Sequence, residues 1–560
     1  MKQRSINNIL TGAVLLSLAL IAGFAGAQVT QRIPGDPLRI EGGLVSGTMG
    51  DGVKMYLGVP FAAPPIRENR WRAPQPVTPW KGVWTADKKP AECLQRLRAT
   101  TTNQYFGDEL SGEDCLYLNI WAPASAQPSD HLPVIVYIYG GAYYIGSASM
   151  PLYSGEQIAR KGVIYVAANY RLGVMGFLAH PEASAESGHH ASGNWGLLDQ
   201  IAALRWVKNN IAAFGGDPAN VTLVGQSAGS MSINHLQMSP LAKGLFRRIV
   251  AMSGAALGGT IPADPPLASA ESQGVQLQRA LNANSLEQMR TIPADKVFAV
   301  SQTAGGRMGP IIDGYVVPEA VPEAFREGKQ IDVPVLTGST ANDIGTNPPI
   351  RSVQTLQEYE SVAARSYGSS SAELLQLFPA HNDNEARSQA EQIGENSGFA
   401  IAARAWARAQ TATGKQPAYL YFFKRVQPYA PGVSFSDLDP ATAGAYHTSD
   451  VPYWLGTYGA FNLLRHTRDW TPWDRKLSND MQDVIVHFAK TGNPSTPSAA
   501  FVPYDLSNEV RVVFGDTITK EVLDSKAMDF LASHPASQSG GSRKPQSSSG
   551  EDKRAASPRD

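Results

Sequence analysis

One stretch constrains this chain more than any other: Phe214-Gly215-Gly216-Asp217-Pro218, continuing through Val221-Thr222-Leu223-Val224 into Gly225-Gln226-Ser227-Ala228-Gly229. Val221 to Val224 suit a short buried strand, Gly225 and Gly229 clear space on either side of Ser227, and the residues after Gly229 can open a helix. A turn that sharp strains the backbone at the serine, which is tolerable only where its neighbours carry no bulk. A bare Gly-x-Ser-x-Gly often marks an ordinary small-residue turn; the strand before it and the helix after it give this one the context of a nucleophile elbow. Ser227 is the candidate nucleophile.

The rest of the chain reads as an α/β fold. Leu44–Gly47 and Met55–Val59 look like a small hairpin turning at Asp51-Gly52. Apolar runs at 134–138 and 163–167, a helical run at 197–213 and the strand before Ser227 then alternate, the pattern of a mostly parallel sheet covered by helices on both faces. From 267 to 408 the pattern is mostly helical, with one more buried strand at 333–336; a strand at 419–422 and a terminal helix from 478 to 490 return to the sheet pattern. No linker divides this body.

Lys2 and Arg4, an apolar run from Ile9 to Phe24, and Ala25-Gly26-Ala27 have the order of a cleavable export signal ending at Ala27, with a membrane anchor as the alternative. Beyond Ser533 the chain turns Ser/Gly/Lys/Arg-rich and is expected to be disordered. The expected organisation is thus a leader at 1–27, one catalytic domain at 28–533 and a tail at 534–560, in a secreted or periplasmic protein with no stable membrane association after cleavage. The only cysteines, Cys93 and Cys115, both fall in the exported part, where a pair is most simply a disulfide. A formal net charge of −1 gives no electrostatic case for nucleic acid or an anionic membrane.

A serine hydroxyl needs a general base to become a nucleophile. In α/β-hydrolases the acid and then the histidine follow the serine in the chain. His235 is too near the elbow, His487 lies mid-helix and His534 opens the tail, which leaves His381, His447 and His466. Pattern alone does not separate these three.

At this point the chain resembles the type-B carboxylesterase/lipase family, the α/β-hydrolases that include the cholinesterases. The resemblance runs from Gly43 to Tyr504. It rests on the Phe214–Gly229 segment and on Glu113-Asp114-Cys115-Leu116-Tyr117-Leu118-Asn119-Ile120-Trp121-Ala122-Pro123. Gly58–Ala62, Asn169-Tyr170-Arg171-Leu172-Gly173 and Gly193-Asn194-Trp195-Gly196-Leu197-Leu198-Asp199-Gln200 support it. The family setting Gly-Ala-x-His-x-x-(Glu/Asp)-x-x-Tyr-x-x-Gly falls on Gly444 to Gly456, which implies that His447 is the base. The resemblance also supports the pairing of Cys93 with Cys115.

The acid implied by the family position is Asp343 in Gly338-Ser339-Thr340-Ala341-Asn342-Asp343-Ile344-Gly345, although Ile344 interrupts the usual run before the glycine; Asp313 and Asp450 are its rivals. The family oxyanion hole falls on the amides of Gly141, Ala142 and Ala228, with alanine in place of a third glycine. Loss of one such donor typically adds about 3 kcal/mol to the barrier. Ser253, in Met252-Ser253-Gly254, matches a serine that supports the family triad, but a helix-end capping role is equally open to it.

The implied function is a serine carboxylesterase whose substrates are a small-molecule ester and water, with no cofactor and no metal. A lipase, a specialised esterase for a xenobiotic or natural-product ester, and a non-catalytic binding module are the alternatives. Family members that take choline esters carry a tryptophan in the cysteine loop; here that loop offers only Tyr105 and Phe106, so choline esters are disfavoured. Thr303-Ala304-Gly305-Gly306-Arg307-Met308-Gly309 lacks the rings that close the acyl side in cholinesterases, so an open acyl pocket is expected, with Arg307 placed to meet an acidic substrate.

Overall fold

The computed structural model describes residues 30–96, 98–104, 107, 109–258, 262–304, 306, 308–345 and 348–536. The leader, Tyr105, Phe106, Arg307 and the tail from 537 onward lie outside the described residues.

A 12-stranded sheet runs through the molecule. In chain order its strands are β1 (Gln31–Arg32), β2 (Thr48–Gly50), β3 (Val53–Pro60), β4 (Tyr117–Pro123), β5 (Leu132–Ile138), β6 (Ile164–Ala168), β7 (Gly216–Gln226), β8 (Arg248–Met252), β9 (Val335–Thr340), β10 (Ala418–Phe423), β11 (Val510–Phe514) and β12 (Ile518–Val522). Their spatial order is β1-β2-β3-β4-β6-β5-β7-β8-β9-β10-β11-β12. The centre, from β6 to β11, is parallel, and the outer pairs at both edges are antiparallel.

The continuous apolar runs occupy the centre, as burial on both faces requires. Val134, Ile135, Tyr137, Leu223, Val224, Ile249 and Val250 have no exposed surface. The helices Trp195–Asn210 (α1), Ala228–Met238 (α2), Phe399–Thr413 (α3) and Pro472–Thr491 (α4) pack over the sheet. In α4 the buried residues Leu477, Met481, Val484, Ile485 and Phe488 recur at helical spacing.

Three expectations need correction. The hairpin at Asp51-Gly52 pairs Thr48–Gly50 with Val53–Met55, whereas Leu44–Ser46 belongs to a separate three-stranded sheet. The chain changes sheets at Gly47, where a Cβ would come within 2.3 Å of the Met55 carbonyl oxygen. The strand expected at 333–336 starts at Val335, because Pro334 has no N–H for the ladder. The helix expected from 478 begins at Pro472, under a capping box in which Thr471 and Asp474 satisfy each other's backbone N–H groups, and it is not terminal. Strands β11 and β12 and the helix Ser525–Ser533 follow it.

Two sequence motifs meet in the core. The Arg171 guanidinium donates to both carboxylate oxygens of Asp199, at 2.8 and 2.7 Å, and the Arg171 amide adds a third bond at 3.0 Å. Their side chains are 3% and 0% exposed, so the pair ties the loop after β6 to α1 in a nearly dry setting. Cys93 and Cys115 are disulfide-bonded and buried. Closing a loop of 22 residues stabilises by about 3 kcal/mol in the chain-entropy model.

Removing one partner of a buried ion pair strands the other charge. Asp199→Ala should lower unfolding free energy by about 3–5 kcal/mol in urea titrations. A loss below about 1 kcal/mol would show that the pair is not needed to join these segments.

Candidate active site

Strand β7 ends at Gln226 and α2 starts at Ala228, so Ser227 occupies the single residue between them, with φ 56° and ψ −124°. The glycines around it are dictated by close approach. A Cβ on Gly225 would lie 2.7 Å from the Gly229 carbonyl carbon, and one on Gly229 would lie 2.0 Å from the Ile138 carbonyl oxygen. The Ser227 amide donates to the Met252 carbonyl on neighbouring β8 at 2.8 Å, and the Ser227 carbonyl accepts from Met231 N–H at 2.9 Å. These bonds hold a conformation that costs on the order of 1–3 kcal/mol.

Beyond β9 the chain turns back, so that Asp343 points its carboxylate at the loop carrying His447. His447 Nδ1 lies 2.6 Å from Asp343 Oδ1. The Ile344 amide donates to Oδ1 at 2.8 Å and the Thr340 amide to Oδ2 at 3.1 Å. Burial alone pushes the Asp343 carboxyl up, but the His447 ring, the Ser253 hydroxyl and the Thr340 amide together hold it below its ordinary value. Ile344, the residue that interrupts the family run, carries its side chain outward, 55% exposed, and turns its N–H onto the acid.

Asp313 and Asp450 stand elsewhere. Asp313 Oδ1 accepts from the amides of Tyr315, Val316 and Val317, which makes it a turn residue. Asp450 is fully buried and accepts from the Tyr421 hydroxyl at 2.9 Å. Of the other two histidines, His381 is an exposed residue and His466 pairs with Asp469 at the surface.

Sequence reasoning missed the roles of four residues here. Asn342 joins the two loops: its amide donates to the Ala445 carbonyl and its Oδ1 accepts from the Ala445 amide, both at 2.9 Å. Gly444 has to be glycine beside it, since a Cβ there would meet the Asn342 side chain at 2.2 Å. Phe399, at the start of α3, stacks on the His447 ring with centroids 5.5 Å apart. The Gln226 side-chain nitrogen lies 3.1 Å from His447 Nε2, so with Nδ1–H donated to Asp343 it donates to the Nε2 lone pair. The spacing Asn-Asp was a visible signal; the Phe399 and Gln226 contacts depend on tertiary placement.

The loop after β5 completes the site. A Cβ on Gly140 would come within 2.9 Å of Ser227 Cβ, so this loop passes directly over the elbow. Gly141, Ala142 and Tyr143 all adopt positive φ, at 108°, 55° and 67°. Ala142 is the alanine that stands for a third glycine, and it takes up the left-handed conformation despite its methyl group. Ala228 N–H, first in α2, has no helical acceptor. The Tyr144 hydroxyl accepts from Met308 N–H at 2.7 Å, which brings the expected acyl-side segment against this loop.

Comparisons with known proteins identify the family. Residues 36–530 match the model of the carboxylesterase family. The chain belongs to that family. It is 33% identical to the fumonisin B1 esterase of Sphingopyxis macrogoltabida over 497 residues, 85% of this chain and 86% of that one. It is also 33% identical to the para-nitrobenzyl esterase of Bacillus subtilis (strain 168) over 496 residues, 86% and 94% of the two chains. A solved PNB esterase structure superposes with a TM-score of 0.71 at 31% identity, covering 88% of this chain and 98% of the other. The protein is a carboxylic ester hydrolase with the α/β-hydrolase fold. Among the described residues no helix is long and apolar enough to cross a membrane.

In this carboxylesterase, burial pushes the Asp450 carboxyl up to about 6, and the nearby charge of Asp343 adds to the effect. A raised carboxyl keeps its proton in the native state after the unfolded chain has lost it, so this group erodes stability as pH climbs from about 4 to 6, and the loss persists above 6. Asn cannot ionise. Asp450→Asn should therefore gain roughly 2–3 kcal/mol on the parent between pH 4 and pH 7.5 in paired urea titrations. A difference independent of pH would show that Asp450 is not titrating in this window.

Proposed function

We propose that this carboxylesterase works through an acyl-enzyme formed on Ser227, with His447 as general base and Asp343 as its orienting acid. The observation that carries the reading is the 2.6 Å bond from His447 Nδ1 to a buried, multiply hydrogen-bonded Asp343, which fixes the ring with Nε2 on the side of the elbow. Substrate entry displaces the Gln226 amide from Nε2. His447 then takes the Ser227 proton as Oγ attacks the ester carbonyl, and the imidazolium is stabilised by the Asp343 carboxylate.

The tetrahedral oxyanion rests on the N–H groups of Gly141, Ala142 and Ala228. His447 returns the proton to the departing alcohol, leaving an acyl-serine. Water, activated by the same ring, attacks that acyl group and releases the acid. The leader and the disulfide support a secreted or periplasmic location. The ring-free segment around Gly306 and Met308 supports an acyl side open to bulky groups.

Hydrolysis of p-nitrophenyl esters from acetyl to hexanoyl and benzoyl tests the reading. Ser227→Ala should lose it, and Asp343→Asn should lose about three to four orders of magnitude in kcat while unfolding at nearly the parent denaturant concentration. Asp343→Asn with near-parent kcat would move the acid elsewhere. Benzoyl and hexanoyl esters should match or exceed acetyl in kcat/KM; a steep fall along the series would argue for a closed acyl pocket.

Gln226 supplies an independent test. A carboxylate at hydrogen-bond distance from Nε2 favours the imidazolium, the inactive form of the base. Gln226→Glu should raise the acid limb of the kcat/KM profile by about one pH unit or more. An unmoved acid limb would mean that the limb does not report His447.

A further inference from the structure

On the far side of α1 from the elbow lies a cavity of about 390 Å³ whose lining does not include Ser227, His447 or Asp343. That volume is within the range of small-molecule sites. Its position follows from the helix. Trp195, Leu198, Ala202 and Arg205 succeed one another at three- and four-residue spacing, so they form one stripe along α1, while Gln200, on another face, donates to Ser232 of the elbow helix. The stripe faces the cavity and the elbow helix stands behind it.

The walls divide by chemistry. Trp71 and Trp195 are buried with their indole N–H groups already donated to the carbonyls of Val174 and Leu178, so toward the cavity they offer ring surface alone. Leu198, Ala202 and Leu241 are only half-buried, leaving apolar surface facing the space. At the mouth His189 stacks on Tyr315 with centroids 3.9 Å apart and planes 10° from parallel, a flat aromatic side to the opening.

Charge at the mouth is unbalanced. Glu186 is already shared between Arg72 and Arg290. The Asp313 carboxylate is turned into its own loop by three amides. Arg205 is exposed and, among the described residues, its guanidinium has neither a carboxylate partner nor a hydrogen bond. An aromatic and aliphatic floor beneath an uncompensated guanidinium selects a flat or acyl body carrying one carboxylate, because the planar fork of arginine pairs with carboxylate in two parallel bonds.

We propose that this cavity is an accessory binding site for amphipathic organic carboxylates, with the apolar body against Trp195 and Leu198 and the carboxylate on Arg205.

Titration calorimetry of the full chain with 2-naphthoate, and with 2-naphthamide as its uncharged counterpart, decides the matter. One equivalent of naphthoate should bind, and naphthamide should bind at least tenfold more weakly. Arg205→Glu should weaken naphthoate at least tenfold, and Ala202→Trp, which fills the cavity, should abolish its binding while the unfolding midpoint shows that the variant is folded. Absence of binding at millimolar naphthoate, equal affinity for the amide, or unchanged affinity in either variant would overturn the proposal.

Discussion

The geometry of this molecule depends on the close approach of three strand ends around one strained residue. Ser227 can hold φ 56° only because the Met252 carbonyl on β8 anchors its amide, and because Gly140, Gly229 and Gly254 let the neighbouring backbone come near enough to do so. A Cβ on Gly254 would sit 2.4 Å from the Ser227 carbonyl oxygen. Strain of a few kcal/mol at one residue is sustained by a large sheet whose centre is fully buried, and relaxing it would require separating β5, β7 and β8. The placement of the serine at the strand–helix junction is therefore a property of the sheet as a whole.

Electrostatics around His447 follows from the unequal treatment of two buried acids. Asp343 receives the His447 ring and two backbone amides, enough donors to keep it ionised in a setting that would otherwise protonate it. Asp450 receives one hydroxyl, and its carboxyl rises to about 6. Environments that push two neighbouring carboxyls apart assign them different tasks. The ionised one can stabilise an imidazolium; the other borders it without competing for the Nδ1 proton.

Much of this was legible in the sequence wherever a local rule coincided with a tertiary one. The elbow could be read because glycine on both sides of a serine between a strand and a helix has a steric cause, and the central strands could be read because burial on both faces leaves continuous apolar runs. The motifs containing Arg171 and Asp199 were visible separately, but their bond at 2.7 Å joins residues that no local pattern pairs. Leu44–Ser46 was misplaced because period-two alternation does not say which sheet a strand joins; a bend at Gly47 decides that. Strands β11 and β12 escaped because Arg511, Lys520 and Glu521 interrupt their apolar pattern at the sheet edge, where Arg511 pairs with Glu521 at 2.8 Å.

Register explains why loops so distant in sequence converge. Ile138 pairs with Gly225, Gln226 with Met252 and Met252 with Gly338, so β5, β7, β8 and β9 end at nearly one level. The loops that leave these parallel strands at their carboxyl ends carry Gly141, Ser227, Ser253 and Asp343, in the crevice position where open α/β sheets place their ligands. His447 comes from the loop after β10, and a long excursion of that kind needs its own tether. Asn342 supplies it: a residue adjacent to the acid grips the backbone two residues before the histidine, so any motion of one loop carries the other. Without that link the 2.6 Å bond between Asp343 and His447 would have to hold both loops by itself, against the entropy of ordering them. With it, the bond is left to set the tautomer and orientation of the imidazole.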